Sequence, residues 1–304
     1  MKLHIMMGLF MVLALSAGLV LAAKPDLSTQ LVAVNPSGGH ATVSIPAHAI
    51  EVTPGVFRLG IAVNKGRFVE GYAFVDYKEA HAKPGTECGN GICEPGENVN
   101  KCPQDCTSDS PEEPTDSCYT FLSKGTRWRA IEPFVVNPSN TRGLSETSII
   151  NNLALDISKW ETAADADIIG SGASTAETLV ADTSSPDGTN EVYFGDIAES
   201  GAIGVTIVWG IFRGPPTSRE LVEWDQVYDD IDFDWSEDCT TENCATKMDF
   251  SNIATHELGH TVGMGDLYES ACSEQTMYGY ASYGETKKRT LENGDKTGIR
   301  ELYA

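Results

Sequence analysis

The chain reads as an α+β protein, and three features predict it. Strand-length runs of alternating or continuous apolar residues recur from residue 41 to residue 228. Between them, Ile149, Ile150, Leu153, Ile157 and Trp160 fall mostly at three- and four-residue spacings, one apolar face of a helix long enough to pack across a sheet. Two further helices are expected near the C-terminus, one after Asp249 or Ser251, either of which can cap it, and one after Asp295. No internal repeat is visible.

The N-terminus has the form of a targeting segment. Lys2 supplies a basic start, residues 8–21 form an apolar run, and Ala22-Ala23 offers small residues for cleavage. An uncleaved anchor is the alternative, but a membrane span usually needs about 20 apolar residues. Residues 1–22 are therefore expected to be a signal peptide. The mature chain would be secreted, with no stable membrane insertion after cleavage.

Residues 23–85 alternate with a period of two through Ala41–Ile45, Val56–Val63 and Phe68–Tyr77, which predicts a small β-rich N-terminal module. It could be a pro-segment, a binding module or simple packing against the rest. No cysteine lies there, so inhibition by a thiolate that plugs a metal is not expected from this region.

Residues 86–117 are a short cysteine-rich segment followed by a Ser/Pro/Asp/Glu linker. So short a piece cannot bury a core and needs staples. The chain has eight cysteines behind a secretion signal, and disulfides are the default reading in an oxidising compartment. Cys88, Cys93, Cys102 and Cys106 crowd together here; a four-cysteine zinc knuckle is the rival reading. Among them, Asn90, Glu94, Glu97 and Asp105 offer hard oxygen donors suited to calcium, or are simply a solvated face. Of the remaining four, Cys239 and Cys244 are close enough to pair locally, which would leave Cys118 for Cys272.

Residues 118–304 hold the larger domain. Trp128–Val136, Asp167–Ile169, Glu191–Phe194, Ile203–Trp209 and Glu220–Tyr228 read as its strands. Ile203–Trp209 is almost wholly apolar and is expected in the middle of the sheet. The net charge of −23 opposes contact with phosphates, so no nucleic-acid partner is expected. A monomer is expected.

The stretch carrying chemistry is His256-Glu257-Leu258-Gly259-His260-Thr261-Val262-Gly263-Met264-Gly265-Asp266. On a helix, His256 and His260 project from one face, so both imidazoles can reach one ion. Glu257 stands where a carboxylate can hold a metal-bound water as general base without ligating the metal. Gly263 accepts the positive φ needed to stop and turn the chain, and Asp266 follows at the place of a third ligand. Two ordinary histidines on a surface helix would be the bland reading of the short motif. Of six histidines, only these two lie beyond residue 81, so oxygen, Cys272 or a tyrosine must complete the site, and Asp266 is best placed.

This segment resembles the metzincin zinc peptidases, in particular the matrixin branch, with Asp266 as third ligand where most matrixins have histidine. Thr276-Met277-Tyr278-Gly279 is similar to the family's Met-turn, with Met277 beneath the metal, and residues 294–303 resemble the matrixin closing helix. Asp187–Val192 and Asp249–Thr255 read the same way. Residues 86–106 resemble small calcium-binding cysteine-rich repeats of exported proteins.

The resemblance implies a twisted mixed five-stranded sheet with three main helices. It implies a catalytic Zn2+, polypeptide substrates and a secreted metalloendopeptidase in which Glu257 is general base. A structural Ca2+ is a further candidate. The competing expectation is a secreted surface-binding protein whose peptidase-like domain serves binding rather than hydrolysis.

Overall fold

The computed structural model describes residues 41–78, 117–240 and 243–304. The expected signal peptide and the candidate calcium donors Asn90, Glu94, Glu97 and Asp105 lie outside the described residues, as do Cys88, Cys93, Cys102 and Cys106.

In chain order the strands are β1 (Thr42–Val43), β2 (Ile50–Thr53), β3 (Val56–Asn64), β4 (Arg67–Lys78), β5 (Glu132–Asn137), β6 (Ile169–Ser174), β7 (Asn190–Ile197), β8 (Ala202–Ile211), β9 (Glu220–Asp229), β10 (Asp234–Ser236), β11 (Lys247–Asp249) and β12 (Tyr280–Ala281). The helices are α1 (Glu146–Ala164), α2 (Phe250–Thr261) and α3 (Asn293–Tyr303). A mixed sheet with three helices makes this an α+β fold.

The main sheet runs β2-β3-β4-β8-β9-β7-β5-β6, with β1 added on β7 and β12 on β4. Strands β6, β5, β7 and β9 are parallel. Strand β8 runs antiparallel to β9, and β4 antiparallel to β8. Five strands, β5 to β9, answer the expected ones, with the strand expected at Asp167–Ile169 running instead over Ile169–Ser174 as β6, and the sheet does not stop at β8. The hairpin β3–β4 and strand β2 extend it. The described part of the expected N-terminal module, residues 41–78, is thus hydrogen-bonded into the same sheet as the larger domain. Period-2 alternation predicts a strand but not its partner, because any edge offering free N–H and C=O groups can accept one. The apolar run of β8 is central, as its composition implies, because β4 takes the edge that would otherwise be open.

Helix α1 begins at Ser145, whose side chain accepts from Ser148 N (3.4 Å), and ends at Asp165 in the left-handed conformation. Its apolar face buries Ile149, Ile150, Leu153, Ile157 and Trp160, and the Trp160 indole donates to Thr255 O of α2 (2.8 Å). Helix α2 is capped by Asp249, which accepts from Asn252 N (2.9 Å) and also pairs with Arg289. Helix α3 starts two residues earlier than Asp295. Glu292 caps it, and Asp295, in its first turn, closes a capping box.

Cys118 is bonded to Cys272 and Cys239 to Cys244. No helix among the described residues is long and apolar enough to cross a membrane.

Candidate metal centre

Every residue of α2 after Ser251 is buried, so the helix lies under the sheet and its polar side chains need partners. His256 Nδ1 lies 2.7 Å from Thr276 O and His260 Nδ1 3.1 Å from Met264 O. A carbonyl only accepts, so each Nδ1 carries a proton, and in the neutral rings each Nε2 presents a lone pair. Those two lone-pair nitrogens stand 3.2 Å apart. Asp266 Oδ1 lies 3.3 Å from both and has no hydrogen-bond partner. Three acceptors thus converge in a dry place.

Helix α2 stops where Gly263 turns the chain at φ 101°. A Cβ there would meet Thr126 O at 2.9 Å, so both the angle and the space call for glycine. The turn carries Asp266 back toward the histidines, and Tyr268 Oη donates to the other Asp266 oxygen (3.1 Å).

Glu257 is fully buried. Its Oε2 accepts from Thr206 Oγ1 of β8 (2.5 Å), while Oε1 has no partner. Burial pushes its carboxyl up to about 8. Met277 is also fully buried, beneath α2: a Cβ on Gly259 would lie 2.1 Å from its sulfur. Asp295 accepts from Thr276 N (2.9 Å) and Met277 N (3.2 Å), tying this turn to α3. Thr276 O in turn orients His256, so Asp295 positions a histidine through two links. A Gly259→Ala chain is expected to lose about 1–3 kcal/mol or more, since the sulfur cannot retreat within a packed core. Thermal melting checks this, and an unchanged Tm would show the methionine to be mobile.

The sequence did not single out Thr206, Asp295, Tyr268 or Asp76 as parts of this site. Asp76 of β4 has a carboxylate oxygen within 4.8 Å of a His256 ring nitrogen and a Glu257 oxygen. None of these four carries a spacing signal, since each reaches the site from a different element.

A second acidic cluster, Asp182, Glu223 and Asp225, also escaped the sequence. Its carboxylates accept backbone N–H groups, Asp225 from Asp182 N (2.8 Å) and Glu223 from Asp187 N (3.1 Å). Burial, reinforced by Asp182, pushes Glu223 up to about 8. Burial also pushes the adjacent Glu191 up to about 7 and Asp225 well above the ordinary range. A carboxyl with a raised native pKa favours the fold most when protonated. That stabilisation is complete below the unfolded value of 4.5 and is lost as pH rises through about 7 and 8. The Tm of chelator-treated protein is therefore expected to fall from about pH 4.5 to about pH 8 and to level off above that. Glu223→Gln should flatten that fall; an equally steep profile in the variant would count against this origin.

The matrixin family model matches residues 221–304. No curated protein matches the chain. Among solved structures, metalloproteinase-II from Bacteroides fragilis is similar at 11 % identity and a TM-score of 0.30, covering 81 % of this chain and 75 % of that one. Over residues 221–304, the part that holds both histidines, Glu257, Asp266 and Met277, this chain is similar to the matrixins.

Proposed function

We propose that the chain is an exported zinc-dependent endopeptidase in which His256, His260 and Asp266 hold the ion and Glu257 is the general base. The observation that carries this reading is the convergence of two imidazole lone pairs and an unpartnered carboxylate oxygen. Three acceptors facing one another repel unless a cation lies among them. Two neutral imidazoles and one carboxylate suit zinc and leave a position open, whereas structural zinc sites are closed and cysteine-rich. The likeness of this segment to matrixins agrees with such a metal.

When bound, zinc acidifies water and polarises a carbonyl. The protein's own groups do the rest. Glu257, held against β8 by Thr206, takes the proton as water attacks the scissile carbonyl and returns it to the leaving amine. Its raised affinity for a proton suits that task, and a cation nearby brings it back toward neutrality. Asp295 and the Met277 turn keep the His256 ring oriented throughout. The disulfides joining Cys118 to Cys272 and Cys239 to Cys244 fit an oxidising, extracellular destination.

The test is hydrolysis of an unfolded polypeptide by zinc-loaded full chain. Cleavage that a chelator stops and zinc restores supports the peptidase reading. A chain that binds one zinc yet leaves every polypeptide intact would favour surface binding instead.

A further inference from the structure

Strand β8 is apolar along almost its whole length, yet it sets one hydroxyl in the middle of the core. Thr206 is fully buried and lies two residues from Gly204, on the same face of the strand. Both meet Glu257. Thr206 Oγ1 donates to Glu257 Oε2 (2.5 Å). The Glu257 carbonyl oxygen lies 3.5 Å from the same hydroxyl, so its single hydrogen is committed to the carboxylate. At Gly204 the three heavy atoms nearest a Cβ would all belong to Glu257: Oε1 at 2.6 Å, Cδ at 3.3 Å and Cγ at 3.5 Å. Any larger residue would push the carboxylate off the strand. Oε1 has no hydrogen-bond partner. The bond from Thr206 therefore offsets only part of the cost of burying this group.

Strand β9 supports the arrangement from the other side of β8. Gln226 stands opposite Thr206, and Tyr228 opposite Gly204. Tyr228 Oη donates to Gln226 Oε1 (2.9 Å) and Gln226 Nε2 to Thr261 Oγ1 (2.9 Å), while Thr261 Oγ1 donates to Glu257 O (3.4 Å). Gln226, Tyr228 and Thr261 are all fully buried. These bonds hold the backbone of α2 at Glu257, and Thr206 holds one end of its side chain. A helix packed on a sheet does not need such groups, because buried polar atoms cost stability unless each is matched. The one left unmatched is Oε1.

We propose that β8 divides the two oxygens of Glu257 between different tasks. Thr206 tethers Oε2, Gly204 leaves room for the carboxylate against the strand, and Oε1 is the atom that takes the proton from water and returns it to the leaving amine. This rests on the peptidase reading above. Thr206 is a positioning residue, since it acts only through Glu257. A carboxylate free to turn about its last bond presents either oxygen to the reaction, and a tether on one of them removes that freedom.

The test pairs Thr206→Val, which keeps the shape and removes the hydroxyl, with Thr206→Ser, which keeps the hydroxyl. In zinc-loaded full chain the valine variant is expected to lower kcat about 10–100-fold with KM and zinc content unchanged, since only the proton transfer is touched. The serine variant should recover most of that loss. A second readout needs no metal. In chelator-treated protein, Thr206→Val should raise the unfolding equilibrium constant about 3–10-fold in an otherwise wild-type chain and leave it unchanged in a Glu257→Ala background, the coupling expected of a direct bond. Valine with the wild-type kcat, serine as slow as valine, or additive effects in metal-free protein would each overturn the tether and leave the peptidase reading standing. If wild type carries zinc, shows the coupling and still hydrolyses nothing, the peptidase reading falls and the assignment of Oε1 falls with it.

Discussion

Replacing Glu257 with alanine is expected to slow hydrolysis by the zinc-loaded chain about 10²–10⁴-fold, the usual contribution of a positioned proton carrier. Zinc content should be unchanged, because the metal ligands proposed here are His256, His260 and Asp266. Metal analysis and a rate on one unfolded substrate check both halves. Stability should not drop either. Glu257 is fully buried, and one of its carboxylate oxygens has no hydrogen bond. Removing an unsatisfied buried group offsets the small cavity left behind. A Tm equal to or above wild type is therefore expected, the pattern of a group retained for chemistry at the expense of the fold. A variant that keeps its full rate would remove Glu257 from the reaction.

His256→Ala is expected to have the larger consequence, since it abolishes the site rather than one step. Hydrolysis should fall to the uncatalysed background, and zinc should no longer be retained after dialysis. The loss should also appear in stability. A ligand that binds only the native state at 100 times its Kd stabilises by about 2.7 kcal/mol. For a domain of this size that is about 5–10 °C in Tm. Wild type should show that rise on adding zinc and His256→Ala should not, by calorimetry in matched buffers. His256 also packs its ring edge-on to His260 and accepts no substitute for its bond to Thr276 O, so the apo Tm of the variant serves as the baseline. An equal zinc-induced shift in both proteins would place the ion elsewhere.

The two experiments separate different failures. Loss of hydrolysis in Glu257→Ala with zinc retained assigns a proton carrier. Loss of zinc in His256→Ala assigns a ligand. No single structural collapse produces both results.

Sequence and structure divide this protein along a physical line. What depends on neighbours in the chain was legible before any coordinates. The i, i+4 spacing of His256 and His260 puts both rings on one face of α2 whatever surrounds it. Gly263 permits a turn that only an uncrowded backbone can make, and the apolar period of residues 149–160 dictates an amphipathic helix. The five strands from β5 to β9 announce themselves by apolar runs, and the Cys239–Cys244 pair by proximity. What depends on pairing across long stretches of chain was decided only by the tertiary structure. A strand's own residues do not say which edge it will join, so the place of β4 along β8 could not be read. Asp76, Thr206 and Asp295 reach the site from β4, β8 and α3, far apart in the chain and brought together only by packing. The same distinction explains the acidic cluster around Glu223, whose carboxylates look like ordinary surface charges until β7 and β9 bury them side by side.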